Sequence, residues 1–382
     1  MDRLAAEGFT FDQMLTDSPE LESVYRSYWQ GLHALCGDEQ GQQRPTLVDS
    51  LRGAGVHTAL IGDNAAVARH PLAAGFDEAI DIGPPLQTTV AESIEQTHFA
   101  RCFSQIIEWI EAAEGPFMLW CHLAGLGTAW DAPLEFRRGY MEEGDPEPPD
   151  WANVPDLLLD ENYDPDELLG ITQTYSGQVS LLDTCLGALS EFLEETGIHD
   201  DTALLLTSPR GFPLGEHRRV GPCKEEQTGE ALYGELVHVP LIARFPGVPT
   251  AMARSSALAE PSDIWATLAD YFDLKNQPQS PTAASLMPII REEVETLRDR
   301  LCIAGGGDQH AIRTPAWYMR VAHKPELFAK PDDRWEVNDT AARCRDVVRK
   351  LNDIFPQYAQ LIESGGVDDL PPLDDVLLEG IE

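Results

Sequence analysis

Four cationic residues crowd one short stretch of this chain: Arg210, His217, Arg218 and Arg219. Guanidinium groups make bidentate, charge-assisted hydrogen bonds to oxyanions, so this cluster has the chemistry to hold a small anion. It follows an apolar run, Thr-Ala-Leu-Leu-Leu-Thr at 202–207, which reads as a strand buried on both faces of a parallel sheet. Ligands bind beyond the carboxyl ends of such strands, which is where the cluster lies. His122 stands near the end of a second apolar run at 116–123. A lone His in that place reads first as a hydrogen-bonded core residue and second as a catalyst.

The elements that would position these groups alternate. Tyr175, Val179, Leu182, Leu186, Leu189 and Phe192 recur every three or four residues, one face of a helix that Gly197 stops. Residues 46–63 read as an amphipathic helix, a glycine turn and a buried strand ending at Asp63. Phe99, Phe103, Ile106, Ile107 and Ile110 mark another helix before the strand at 116–123. Residues 144–155, acidic and rich in proline, read as a surface insertion. The pattern predicts an α/β fold: a mostly parallel central sheet with helices on both faces, then a small antiparallel sheet with one helix at 341–354. The expected domains are residues 1–274, residues 282–363 and a loosely held acidic tail, 364–382.

Composition narrows the partners. The chain has 382 residues, 43% of them hydrophobic and 24% charged, ordinary for a globular protein. Its 27 Lys and Arg against 65 Asp and Glu give a net charge of −38, a field that repels nucleic acid and anionic lipid. No apolar run reaches the length of a membrane span and no signal peptide is visible, so a cytoplasmic location is expected. Seven cysteines lie scattered, without a CxxC pair or a His spaced as a zinc partner, and read as reduced thiols packed in the core.

Thr207-Ser208-Pro209-Arg210-Gly211-Phe212-Pro213-Leu214-Gly215-Glu216-His217 resembles the sulfatase branch of the alkaline-phosphatase superfamily, whose members read roughly T-S-D-H-G-x-x-L-G-E-H. Seven positions match; the family's metal-binding Asp and His are here Pro209 and Arg210. The resemblance extends along most of the chain, through Gly75-Phe76-Asp77, Val239-Pro240-Leu241 and Glu326-Leu327-Phe328. In the family pattern S-P-x-C-x-P-S-R, the Cys or Ser oxidised to formylglycine falls on Leu21, and the Pro and Arg fall on Ser23 and Tyr25. Ser18 and Ser23 lack the flanking motif. The family's sulfate-neutralising Lys is Asp63, its PHxP histidine has no counterpart in 127–133, and Lys224 stands near its downstream Lys. The segment like residues 1–11 is preceded in the family by a strand carrying paired aspartates. Its loss would leave unpaired backbone, so a start upstream of Met1 is expected.

The resemblance implies the family fold without intact chemistry. Leucine has no lone pair with which to attack, and a guanidinium cannot ligate calcium, so neither calcium nor formylglycine is expected. The expected function is a pseudoenzyme with a binding or scaffold role, in which Arg210, His217, Arg218 and His122 could face a small anionic or sulfated ligand. Alternatively Arg210 pairs with a buried carboxylate such as Asp63 and fills space. The competing expectation is a sulfate- or phosphate-ester hydrolase with an atypical nucleophile and a truncated N-terminus.

Overall fold

The computed structural model describes residues 1–37, 44–86, 89–221, 232–249, 252–364 and 370–381; Lys224 lies outside them. The chain forms two compact units. The first comprises Met1, Leu51–Ala203 and Phe212–Cys223, and the second Asp2–Ser50, Leu204–Gly211 and Lys224–Glu382. The expected class is observed: mixed α/β with parallel strands, helices and a small C-terminal antiparallel sheet.

The first unit is built on three parallel strands in the order Glu78–Asp81, His57–Gly62, Phe117–His122. The middle strand buries Ala59, Leu60 and Ile61 completely, as an apolar run with strands on both sides must. Gly62 is in register with His122, so the residues that follow both strands emerge together. The helix His98–Ala112 starts at Thr97, whose hydroxyl caps the Ala100 amide, and buries Phe99, Cys102, Phe103, Ile106 and Ile110.

The long helix runs Pro165–Glu195, ten residues earlier than its apolar stripe announces, because Asp164 caps it and Pro165 occupies the first turn. Its deepest face is Gly177, Gln178, Leu181 and Cys185; Tyr175, Val179 and Leu182 are only half-buried. Two local needs turn it that way. A Cβ on Gly177 would come within 2.9 Å of the Arg137 amide nitrogen, and Gln178 serves the backbone and carboxylate of the 131–132 turn. The Pro-rich segment is also better held than expected. Arg137, fully buried, donates to the carbonyls of Trp130, Pro149 and Trp151 and so fastens it.

The second unit carries a four-stranded sheet in the order Leu204–Thr207, Leu241–Arg244, Phe9–Met14, Ala253–Ala259. The strand Leu204–Thr207 corrects the sequence expectation. Its hydrogen-bonded neighbour runs antiparallel, and its residues are half-buried rather than covered on both faces. An unbroken apolar run reports burial, but strand direction depends on a partner far away in sequence. Among the described residues, Leu204–Thr207 and, in the first unit, Phe117–His122 each pair with a strand on one edge only.

Leu301–Ala304, His310–Arg313, Trp317–Val321 and Pro325–Ala329 form an antiparallel meander. The helix Arg345–Ser364 packs on it through Val347, Leu351, Ile354, Tyr358 and Ile362. It passes the expected end at 354 and contains Pro356, since fully buried apolar side chains beyond the proline outweigh the lost hydrogen bond. Residues 370–381 are not loose: Leu373 and Leu377 are buried, and Thr314, Trp317 and Arg300 hold the carbonyls of Leu377, Val376 and Pro371.

Candidate functional site

The carboxyl ends of the first unit's strands carry a buried polar cluster. Asp63 follows His57–Gly62 directly; its Oδ1 accepts from the Ala124 amide at 2.7 Å and its Oδ2 lies 2.7 Å from His98 Nε2. Both side chains are sealed from solvent, at 0% and 1% exposure. Arg101, one turn along the helix from His98, donates from Nη2 to His98 Nδ1 at 3.0 Å. Arginine has no acceptor, so Nδ1 must accept and Nε2 must carry the hydrogen given to Asp63. The tautomer is thus set by geometry. Asp131 accepts from the His98 amide at 2.6 Å and from Gln178 Nε2 at 3.2 Å, which pins the start of the helix. Cys102 Sγ lies 3.6 Å from His98 Nε2, and burial, then the Asp63 charge, pushes its thiol up to about 12.

Asp63 therefore finds its partners in His98 and the Ala124 amide. His122 sits beside it, buried, with its carbonyl accepting from the Asp63 amide at 3.3 Å. His217 and Arg218 lie in the loop whose two-residue strand Arg219–Val220 pairs with Leu157–Leu158. Arg218 adopts a left-handed backbone with φ 62° and donates from Nε to the Leu159 carbonyl, with Glu161 beyond. Its guanidinium thus ties the loop to the segment that follows Leu157–Leu158.

In the second unit, Leu21 opens the helix Leu21–Gln30, half-buried, with neither a nucleophile nor an oxidisable group. Ser18 is buried and its hydroxyl accepts from the Glu20 amide, so it serves as a turn residue. Pro209 and Arg210 lie in a clamped loop: Ser208 Oγ donates to the Arg210 carbonyl at 2.6 Å, Tyr28 donates to the Ser208 carbonyl, and Gly211 donates to the Leu236 carbonyl. A Cβ on Gly211 would sit 2.1 Å from the Glu235 carbonyl oxygen, so the glycine is required by close approach. Arg210 is half-buried, and its guanidinium makes no ion pair or hydrogen bond among the described residues. The side chains of Pro209 and Arg210, a pyrrolidine ring and a guanidinium, supply none of the oxygen donors that calcium takes.

The second unit has a buried charge cluster of its own. Arg298 forms a fork with Asp263, Nη2 to Oδ1 at 2.6 Å, and donates to the Thr282 carbonyl. Asp263 and Glu260 close a capping box on the helix Pro261–Tyr271. Asp17 Oδ2 accepts from Ser27 and the Ala34 amide, while its Oδ1 and Glu260 Oε2 have no hydrogen-bond partner among the described residues; His33 Nε2 lies 3.9 Å from Glu260 Oε2. Burial raises the Asp17 carboxyl above its ordinary 3.8; His33 opposes the shift and Glu260 adds to it. The unfolded chain releases this proton first, so the stability it lends is complete below pH 3.8 and drains as pH climbs through the raised folded value. Asp17→Asn is expected to remove that share of the decline. Urea unfolding from about pH 4 to pH 7 reads it, and equal slopes in both proteins would refute it.

The cluster around His98 was legible only in part. His98 and Cys102 stand four residues apart and hence on one helical face, a pairing that lies outside the CxxC pattern. Among the described residues no helix is long and apolar enough to cross a membrane.

A family model described as Sulfatase matches residues 1–274. N-acetylglucosamine-6-O-sulfatase of Bacteroides thetaiotaomicron is 30% identical over 196 residues, covering 49% of this chain and 32% of the relative. Iduronate 2-sulfatase of Homo sapiens is 27% identical over 205 residues, covering 48% and 35%. The chain thus spans about a third of the length of these curated relatives. Among solved structures, the phosphonate monoester hydrolase of Agrobacterium radiobacter superposes with a TM-score of 0.73 at 16% identity, covering 95% of this chain and 91% of that one. At that identity the likeness speaks for the fold.

Proposed function

Since the chain belongs to the sulfatase family, we propose that it is a member without ester-hydrolase activity, a pseudoenzyme that binds an anionic ligand. The observation that carries this reading is the burial of Asp63 between His98 and the Ala124 amide. Where the family resemblance places the lysine that neutralises sulfate, this chain has a carboxylate already committed to internal partners. A substrate anion would meet no positive charge from that residue. Leu21 in place of the nucleophile and the Pro209–Arg210 pair in place of metal ligands support the same conclusion. Arg210, with its guanidinium unspent among the described residues, is the residue we assign to anion binding; a sulfated sugar is the ligand class its relatives' names suggest.

The test pairs two measurements on the full chain. With 4-nitrophenyl sulfate and 4-nitrophenyl phosphate, release above buffer is expected to be nil. With glucosamine 6-sulfate, calorimetry is expected to show saturable binding that Arg210→Ala abolishes. Turnover that scales with protein and survives repurification would overturn the inactive reading, and binding indifferent to Arg210→Ala would overturn the assignment.

A further inference from the structure

We propose that Asp63, His98 and Cys102 form a metal site of the zinc class within the first unit, using Asp63 Oδ2, His98 Nε2 and Cys102 Sγ. One ligand atom from each of the three residues lies within 4.8 Å of the other two, and all three residues are buried. The site is distinct from the loop at Pro209 and Arg210 and does not rest on the function proposed above.

Distances and donor chemistry both favour it. Zinc bonds of about 2.0 Å to nitrogen or oxygen and about 2.3 Å to sulfur set tetrahedral donors about 3.3–3.5 Å apart. His98 Nε2 and Cys102 Sγ stand at 3.6 Å, one helical turn apart on a rigid element. His98 Nε2 and Asp63 Oδ2, at 2.7 Å, would open slightly as an ion replaces the hydrogen between them. Asp63 is held independently, because the Ala124 amide fixes Oδ1 and leaves Oδ2 aimed at the imidazole. The Asp131 carboxylate on the His98 amide fixes the helix end that carries the second donor. An oxygen, nitrogen and sulfur set suits a borderline ion such as zinc and disfavours calcium and magnesium, which take oxygen alone.

The charges balance. Asp63 enters as a carboxylate. Cys102 gives its thiol proton to solvent and binds as thiolate. His98 stays neutral, its hydrogen passing from Nε2 to Nδ1. One proton leaves per ion, and the dication with two anionic ligands is neutral overall, the arrangement a buried site requires. The protonated Nδ1 can no longer accept from Arg101, whose Nη2 keeps the Gly83 and Pro84 carbonyls. Arg101 therefore competes with the metal for the tautomer of His98.

That competition makes the test sharp. Chelator-treated full chain is titrated with Co²⁺, and with Zn²⁺ as competitor. One Co²⁺ per chain is expected, with the near-ultraviolet charge-transfer band of a thiolate ligand. Cys102→Ser should lose the band and weaken binding by more than the about 10–100-fold that loss of an outer-sphere partner costs. Arg101→Met should bind more tightly than wild type. The wild-type band reports thiolate ligation even if a variant folds poorly. Absence of the band, equal affinity in Cys102→Ser, or no gain in Arg101→Met would each overturn the proposal as stated.

Discussion

Asp63→Lys, which restores the residue the sulfatase resemblance places at that position, is expected to destabilise the protein by about 3–5 kcal/mol rather than create an anion site. The environment admits a carboxylate and little else. The Ala124 amide and the His98 Nε2 hydrogen both need an acceptor, and Asp63 supplies one oxygen to each. Lysine supplies none, and would add a buried ammonium near Arg101. Asp63→Asn is the informative companion, because its single oxygen satisfies only one of the two donors while its NH₂ confronts the other. His98 cannot adapt by changing tautomer while Arg101 donates to Nδ1. Asparagine should therefore also cost stability, by about 1–3 kcal/mol for the donor left unsatisfied. Urea unfolding of both variants checks this. A lysine variant as stable as wild type would mean that Asp63 is not committed to these partners, and the case against an anion-binding role for this position would fall with it.

Arg298→Met in the second unit is expected to cost about 3–5 kcal/mol at neutral pH, because it leaves buried carboxylates without their cation. Asp263 has no exposed side-chain surface, and Arg298 forks onto both of its oxygens; Glu260 is buried beside them, with one oxygen that has no hydrogen-bond partner among the described residues and only His33 Nε2 at 3.9 Å. Methionine fills the volume of the side chain stem but offers no charge and no donors to the Thr282 carbonyl. The deficit should shrink as pH falls from about 7 to about 4, since protonating Asp263 or Glu260 removes the uncompensated charge. Denaturation of wild type and variant across that range reads the difference directly. A deficit that stays constant with pH would attribute the loss to packing and not to charge.

Both predictions concern residues whose identities are plain in the sequence while their partners are not. Asp63 is visible as a carboxylate where the family has a lysine. Nothing local says that His98, thirty-five residues on, will meet it, or that Arg101 will choose the tautomer. The pairing exists because the strand His57–Gly62 and the helix His98–Ala112 are packed in one unit, with the strand ending opposite the helix start. Nothing beside Arg298 in the sequence announces the carboxylates of Asp263 and Glu260 that the fold brings to it.

What the sequence determined by itself was the framework. Unbroken apolar runs placed strands and periods of three to four placed most helix faces, because burial selects apolar residues wherever an element packs. The motif segments, in order, pointed to the sulfatase fold, and Leu21, Pro209 and Arg210 already lacked a nucleophile and metal donors by residue type alone. Only the tertiary structure decided direction and partnership. The strand Leu204–Thr207 pairs antiparallel, the helix Pro165–Glu195 turns its glycine and glutamine inward, and His98 with Cys102 comes to face Asp63. Each of these depends on contacts between residues far apart in sequence, where no local periodicity or propensity carries the information.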